Sequence, residues 1–230
     1  MNVDVNTFRE SASLVDNLPQ HVLCVGIDAS GKSTLLDGLS SSFGYDIVEP
    51  TSSPEARGFK SRTIDTAVDA SIIDEREQIY LRLNDLFAVS IEACMEEDAR
   101  IASTGSHLVT RLSHMVMKRT IGENVSRHGE KEVLLDWVDS SRVQPEAITL
   151  THAPFEVIRG RILSRQAEGD VLERFWGFNS MLFLENYQDA WHVVLDEISQ
   201  ETDIDSFSFD TSEDTPTQML SRFADGYRNV

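Results

Sequence analysis

The chain has 230 residues, with 39 acidic against 20 basic side chains and a formal net charge of −19 at pH 7. This length suits one α/β domain that can bury a sizeable core. An acidic surface repels nucleic acid and anionic lipid, so we expect neither a polynucleotide nor a membrane as a partner.

Other features of the sequence bear on its compartment. No apolar run approaches the roughly 20 residues of a membrane span, and the polar N-terminus does not resemble a signal peptide. The two cysteines, Cys24 and Cys94, offer neither a disulfide framework nor metal-ligand spacing. We therefore expect a reduced, cytoplasmic protein.

The first half of the chain alternates between short apolar runs and helical patterns. Residues 1–19 are a weakly amphipathic N-terminal extension that ends at Pro19. The next run, residues 21–25, is nearly continuous apolar, as expected of a strand buried on both faces. The further elements predicted here are a helix from residue 33, a strand over 45–48, a long helix over 74–98, a strand over 100–104, and helices over 108–127 and 133–138.

The second half continues the alternation. It predicts a strand over 147–151, a helix from Pro154 to residue 165, a break at 167–170, a helix over 172–198, a strand over 207–209 and a helix over 217–227. The aromatic residues of the 172–198 helix recur at helical spacing, which favours a core role over a base-stacking surface. Strands alternating with helices predict an α/β fold: a parallel five-stranded sheet with helices on both faces, in three layers.

The most specific motif lies between the first strand and the first helix. Residues 26–34 read Gly-Ile-Asp-Ala-Ser-Gly-Lys-Ser-Thr and match the phosphate-loop pattern G-x-x-x-x-G-K-[ST]. A glycine-rich turn into a helix directs backbone N–H groups and the helix dipole at an anion. We therefore predict ATP and Mg²⁺ as cofactors, with Lys32 on the β- and γ-phosphates and the hydroxyl of Ser33 on the metal. The predicted cofactor-binding residues are Gly26, Asp28, Ala29, Ser30, Gly31, Lys32, Ser33 and Thr34.

The order of features resembles the thymidylate kinases and their nucleoside and nucleotide kinase relatives, from about residue 21 to residue 225. The segments that carry the resemblance are the phosphate loop (26–34), Glu-Pro-Thr at 49–51, the helix at 154–165, Asp-Val-Leu-Glu at 170–173, and the segments 184–187 and 209–212. The resemblance implies a kinase-like domain over 20–230, with a lid at about 165–174 and a homodimer. Asp28 matches the family's loop and would bind a sugar hydroxyl or a metal-bound water, unless it only shapes the loop as an Asx-turn.

The sequence departs from the family at several functional positions. The family's Asp-Arg after the third strand is replaced by 104–107, which reads Thr-Gly-Ser-His, and Val171 stands where the lid has an arginine. In the preceding helix Asp85 is followed by Leu86 rather than arginine, and the fourth strand ends in Thr-His rather than aspartate. The arginines that would hold an acceptor's phosphate are thus missing, while the donor loop is intact.

The candidate catalytic residues are Lys32, Glu49, Arg161 and Arg165. Arg161 and Arg165 lie one helical turn apart beside the predicted break, so they could close over the β- and γ-phosphates as a lid. Their alternative is a solvated basic face that pairs with neighbouring glutamates. Glu49 follows the second strand, where α/β sheets place ligands, and could be a general base or hold a metal-bound water; its alternative is a turn residue before Pro50.

The candidate acceptor-binding residues are less well defined by the sequence. They are Phe59, Arg62, Tyr80, Asp85, His107 and Arg111. His107 and Arg111 share one face of a predicted helix, although an exposed polar stripe explains them equally well. Because a monophosphate acceptor needs bidentate arginines, we predict an acceptor other than ordinary thymidylate: an altered nucleotide or an uncharged hydroxyl compound such as a nucleoside. The alternatives are a degenerate ATP-binding relative that acts as a regulator, and, last, an NTPase coupled to another protein.

Overall fold

A computed structural model describes residues 17–48, 100–104, 144–169 and 178–227, the side chains of 178–183 excepted. The strands are β1 (His21–Val25), β2 (Asp46–Val48), β3 (Ile101–Ser103), β4 (Ala147–His152) and β5 (Asp205–Asp210). The helices are α1 (Lys32–Phe43), α2 (Phe155–Ala167), α3 (Phe178–Glu201) and α4 (Pro216–Gly226). None of the helices in the described ranges is both long enough and apolar enough to cross a bilayer.

The five strands form one sheet in the order β2-β3-β1-β4-β5, and every neighbouring pair is parallel. Strand β1 lies at the centre, where Val22 pairs with Ala102 of β3 on one side and Ala147 of β4 on the other. This parallel arrangement brings the carboxyl ends of all five strands to one edge of the sheet, and the phosphate loop follows β1 there.

Helices cover both faces of the sheet. Val22 and Cys24 of β1 pack in a buried cluster with residues of α1 and α4. Leu23 and Val25, which alternate with them, pack in a second cluster with residues of α2 and α3. Every residue of β1 is therefore buried, as its nearly continuous apolar sequence predicts. The predicted three-layer α/β fold is confirmed.

Several predicted boundaries shift by a few residues. Strand β2 begins at Asp46 rather than at Tyr45, whose buried hydroxyl donates a hydrogen bond to the Pro19 carbonyl. Strand β5 is longer than predicted because its polar residues pair with β4 as far as Asp210 opposite His152. Helix α3 continues to Glu201, past the predicted end at residue 198.

The predicted core role of the aromatic helix is confirmed where its side chains are described. Leu184, Tyr187 and Trp191 of α3 are buried in the cluster shared with α2. Helix α2 ends at Ala167, inside the predicted break, and Gly169 follows with a φ of 87°. The helices predicted over 74–98, 108–127 and 133–138, and the lid beyond residue 169, lie outside the described residues.

Candidate phosphate-binding site

The phosphate loop has an unusual backbone. Three of its residues have positive φ: Gly26 at 141°, Ala29 at 61° and Gly31 at 104°. Two are glycines, which adopt such angles without steric cost, whereas Ala29 carries a Cβ and is held there at the expense of about 1 kcal/mol. Left-handed residues among right-handed ones turn successive N–H groups to one side, the geometry of an anion-binding nest.

The first glycine of the loop lies against the end of β4. A Cβ on Gly26 would collide with the carbonyl oxygen of Thr151 and lie 2.7 Å from the Ser30 hydroxyl oxygen. The Ser30 and Thr151 hydroxyls are themselves hydrogen-bonded at 2.8 Å, and both side chains are fully buried. Only glycine fits at position 26, because the loop and β4 approach each other this closely.

The second glycine lies against the turn between β5 and α4 (residues 211–215, the β5–α4 turn). A Cβ on Gly31 would come within 2.8 Å of the Thr211 methyl carbon. The Thr211 hydroxyl donates to the Ser30 carbonyl at 2.8 Å, and its backbone N–H donates to the His152 carbonyl at 2.8 Å. The phosphate loop is thus held between the ends of β4 and β5.

Lys32 folds back over the loop from which it projects. Its half-buried ammonium donates hydrogen bonds to the carbonyls of Gly26 at 2.9 Å and Ile27 at 2.7 Å. The ammonium charge therefore lies within the turn formed by the loop, where a bound phosphate would meet it.

The N-terminus of α1 is suited to an anion. Gly31 is its N-cap and supplies no side-chain hydrogen bond, and no acidic residue lies in its first turn. Helix α4 differs: the Thr215 side chain accepts from the backbone N–H of Gln218, whose own side chain accepts from the N–H of Thr215. The partial positive charge of α1 is therefore not offset by a cap or a carboxylate of its own first turn.

The structure separates the two arginines predicted to form a lid. Arg161 donates hydrogen bonds to the Ala29 carbonyl at 3.0 Å and to both the hydroxyl and the carbonyl of Thr211 at 2.9 Å. Arg165 lies in the last turn of α2 with its side chain exposed. Arg161 thus contacts the phosphate loop directly, through backbone oxygens.

A pair of histidines lies at the same edge of the sheet. The rings of His152, at the end of β4, and His192, on α3, meet edge to face with centroids 4.6 Å apart. Burial and the neighbouring His192 lower the pKa of His152. Burial alone would raise the pKa of Asp210, the residue opposite His152 on β5, but hydrogen bonds from the Ser212 hydroxyl and N–H lower it.

The sequence did not single out Thr151 or Thr211 as site residues. The strand order places Thr151 and Thr211 near the site, because β4 and β5 end beside the phosphate loop. The contacts that their side chains make with the loop could not be predicted from a sequence pattern. Asp28 and Thr34 lie in the described loop, half-buried and exposed respectively. The remaining predicted residues lie outside the described ranges: Glu49, Phe59, Arg62, Tyr80, Asp85, His107 and Arg111.

The fold has counterparts among solved structures. A structure titled deoxyadenosine kinase from M. mycoides with bound dATP is 15% identical, covers 89% of this chain and 98% of that chain, and has a TM-score of 0.53. The same kinase with the products dCMP and a flexible dCDP gives 14% identity, coverage of 89% and 97%, and a TM-score of 0.59.

A second kind of kinase is also similar. Thymidylate kinase from Candida albicans is 16% identical, covers 90% of this chain and 89% of that chain, and has a TM-score of 0.55. No family model and no curated protein matches the sequence. The structural likeness confirms, at the level of the fold, the resemblance carried by the sequence motifs.

Proposed function

We propose, from a fold shared with the nucleoside and nucleotide kinases of the P-loop class, that this chain is an ATP-dependent phosphotransferase. It would move the γ-phosphoryl group of ATP to a small nucleoside-like or nucleotide acceptor other than ordinary thymidylate. The observation that carries the proposal is the phosphate loop: positive φ at three residues, an uncapped helix N-terminus and the ammonium of Lys32. These three features would all stabilise the same polyanionic ligand.

The donor side of the reaction follows from the loop. Backbone N–H groups of the nest and of the first turn of α1 would bind the β- and γ-phosphates. Lys32 would exchange its two carbonyl partners for phosphate oxygens. Phosphoryl transfer requires mainly positioning and charge neutralisation, so these groups could supply most of the donor chemistry.

The hydroxyl of Ser33 is the candidate magnesium ligand. Ser33 lies in the first turn of α1 and is exposed, so its hard oxygen is accessible. The described residues contain no group of three or more His, Cys, Asp or Glu side chains that could hold a metal. Magnesium commonly keeps several waters and binds through one or two protein oxygens plus substrate phosphates. When bound, it would neutralise charge on the transferring phosphoryl group.

The proposed acceptor follows from the positions at which this sequence departs from the kinase family that it resembles. An uncharged hydroxyl compound, such as a nucleoside, does not need the arginines that are missing after the third strand and in the lid. Glu49 would accept the proton of that hydroxyl as its oxygen bonds to the γ-phosphorus and the bond to the β-phosphate oxygen of ADP breaks. One structural counterpart is named for a nucleoside and another for a nucleotide. We further propose that the enzyme works in the cytoplasm as a homodimer.

Calorimetric titration with Mg·ATP tests the donor side. The wild-type protein should bind, Lys32→Ala should lose binding, and Arg159→Ala should retain it. Arg159 is the matched control because its exposed side chain pairs with Glu156 on α2, at 3.5 Å. Absence of heat with the wild-type protein overturns the proposal.

Turnover assays test the acceptor side. A panel of nucleosides and nucleotides should yield ADP with a nucleoside-like acceptor, and brisk turnover of thymidylate would refute the predicted acceptor. Glu49→Gln should abolish turnover and leave the Kd for ATP unchanged.

A second candidate is a degenerate ATP-binding relative that acts as a regulator. It is favoured by the end of β4, where His152 stands in place of the family's aspartate. This candidate predicts ATP binding with no turnover for any acceptor, so the acceptor panel separates it from a kinase.

A further inference from the structure

Arg161 joins three parts of the molecule at the phosphate loop. It projects from α2, and its guanidinium binds the Ala29 carbonyl in the loop and two oxygens of Thr211 in the β5–α4 turn. Thr211 in turn donates to the Ser30 carbonyl. Two consecutive carbonyls of the loop, those of Ala29 and Ser30, are therefore held by one network that starts at Arg161.

These two carbonyls matter for anion binding. A nest attracts phosphate only when its N–H groups face the ligand and its carbonyl oxygens do not. The Ala29 carbonyl belongs to the residue that itself has a φ of 61°, an angle that alanine does not favour. A hydrogen bond from a guanidinium is stronger than one from a neutral donor, so it can hold this peptide in place.

We infer that Arg161 is a positioning residue: it keeps the Ala29 and Ser30 carbonyls turned away from the ligand and so preorganises the phosphate loop. The inference rests on the proposed binding of a nucleoside triphosphate. It assigns to Arg161 a role different from closure over the β- and γ-phosphates, which the sequence suggested for Arg161 and Arg165. Arg165, one turn further along the helix, lies in the exposed last turn.

The two roles predict different ligand dependence. If Arg161 shapes the loop, its loss weakens every ligand that uses the nest, whether or not a γ-phosphate is present. If it closes over the β- and γ-phosphates, its loss weakens ATP more than ADP, because ADP has no γ-phosphate to contact. A charge-preserving Arg161→Lys change keeps the positive charge and loses the planar fork that reaches Ala29 and Thr211 together.

The experiment measures the Kd of Mg·ATP and of ADP for the wild-type protein, Arg161→Lys, Arg161→Ala and the control Arg159→Lys. Arg161→Lys should weaken both nucleotides by the same factor, about tenfold to a hundredfold. Methylguanidinium added to Arg161→Ala should restore part of the affinity. The control should match the wild type, because Arg159 is exposed and faces Glu156.

A second pair of variants covers the case in which Arg161→Ala does not fold. Thr211→Val removes the hydroxyl that links Arg161 to Ser30, whereas Thr211→Ser keeps it. Thr211→Val should weaken ATP and ADP equally, and Thr211→Ser should stay within a few-fold of the wild type. In the double variant with Arg161→Lys, Thr211→Val should raise the Kd by a smaller factor than it does in the wild-type protein, because both changes break the same network.

The outcomes separate this inference from the proposed function. No binding of ATP by the wild-type protein overturns the proposed function and the inference with it. Normal binding by both the wild type and Arg161→Lys overturns the inference alone. A clearly larger loss for ATP than for ADP also overturns it and assigns Arg161 to contact with the γ-phosphate.

Discussion

The two edges of the sheet use glycine and buried polar groups differently. At the carboxyl edge, Gly26 and Gly31 have positive φ and touch neighbouring segments so closely that no side chain fits. At the amino edge, Gly44 has a φ of 74° at the end of α1, and nothing lies within 4 Å of where its Cβ would be. The carboxyl edge needs glycine because neighbouring atoms leave no room for a Cβ, whereas the amino edge needs it only for the left-handed backbone angle.

Hydrogen bonding follows the same division. Among the described residues at the amino edge, single bonds join neighbouring segments, such as the Tyr45 hydroxyl to the Pro19 carbonyl at 2.7 Å and the Gln20 N–H to the Glu146 carboxylate at 2.9 Å. At the carboxyl edge, one network starts at Arg161 and reaches the phosphate loop directly and through Thr211. The amino edge stabilises the fold, whereas the carboxyl edge also fixes the shape of a binding loop.

The largest expected effect on stability and binding comes from replacing a glycine by alanine, and the same change at each edge of the sheet gives the comparison. Gly26→Ala should lower the free energy of unfolding by about 3 kcal/mol and abolish nucleotide binding, because the new methyl group meets the Thr151 carbonyl. Gly44→Ala should cost only about 1 kcal/mol, the penalty for the left-handed angle itself, and leave binding intact. Urea unfolding and ATP titration of both variants check this. Equal losses of stability would mean that the close approach at Gly26 has no energetic weight.

A pH effect is expected from the amino edge. Burial lowers the pKa of His21 to about 4, against a smaller raising effect of the Gln144 backbone. The unfolded chain, with a pKa near 6.5, binds a proton in a pH range where the folded protein does not. Stability that is present above pH 6.5 is therefore lost as the pH falls towards 4.

Comparison with His21→Gln isolates this effect from that of the many carboxylates. Between pH 7 and pH 5 the wild type should lose about 2 kcal/mol more than the variant, as measured by urea unfolding. Nucleotide affinity of the variant should match that of the wild type at pH 7. Parallel pH dependences for the two proteins would contradict the prediction.

The smallest expected effect concerns an ion pair near the carboxyl edge. Arg222 pairs with Asp214 of the β5–α4 turn, and the Arg222 side chain is 55% exposed. Asp214→Asn should cost about 0.5 kcal/mol at low salt, and the difference from wild type should disappear in 1 M NaCl. A loss above about 2 kcal/mol that salt does not screen would show that this pair, and not only the Arg161 network, holds the turn.

Much of the fold could be predicted from the sequence. The nearly continuous apolar run of β1 follows from burial on both faces of the sheet, and the phosphate-loop pattern placed the glycines correctly. The strand ends were less predictable: β5 extends to Asp210 because β4 offers backbone partners, which is a tertiary effect that no local pattern contains.

The candidate site was predictable only in part. Lys32 and Ser33 could be identified from the sequence, because the phosphate-loop motif is a local pattern that specifies both residues. The contacts of Arg161 with Ala29 and Thr211 join positions that are 132 and 50 residues away from it in the chain. Helical spacing placed Arg161 and Arg165 on one face, but it could not show that Arg161 donates to the Ala29 carbonyl and to Thr211.

The glycine N-cap of α1, which supplies no side-chain hydrogen bond, has a consequence for the lifetime of the protein. A helix without a side-chain cap gains stability from an anion that binds the N–H groups of its first turn. If the chain binds a nucleoside triphosphate as proposed, proteases that cut transiently opened chains should remove it fastest when triphosphate is scarce. Its abundance in the cell would follow the energy supply.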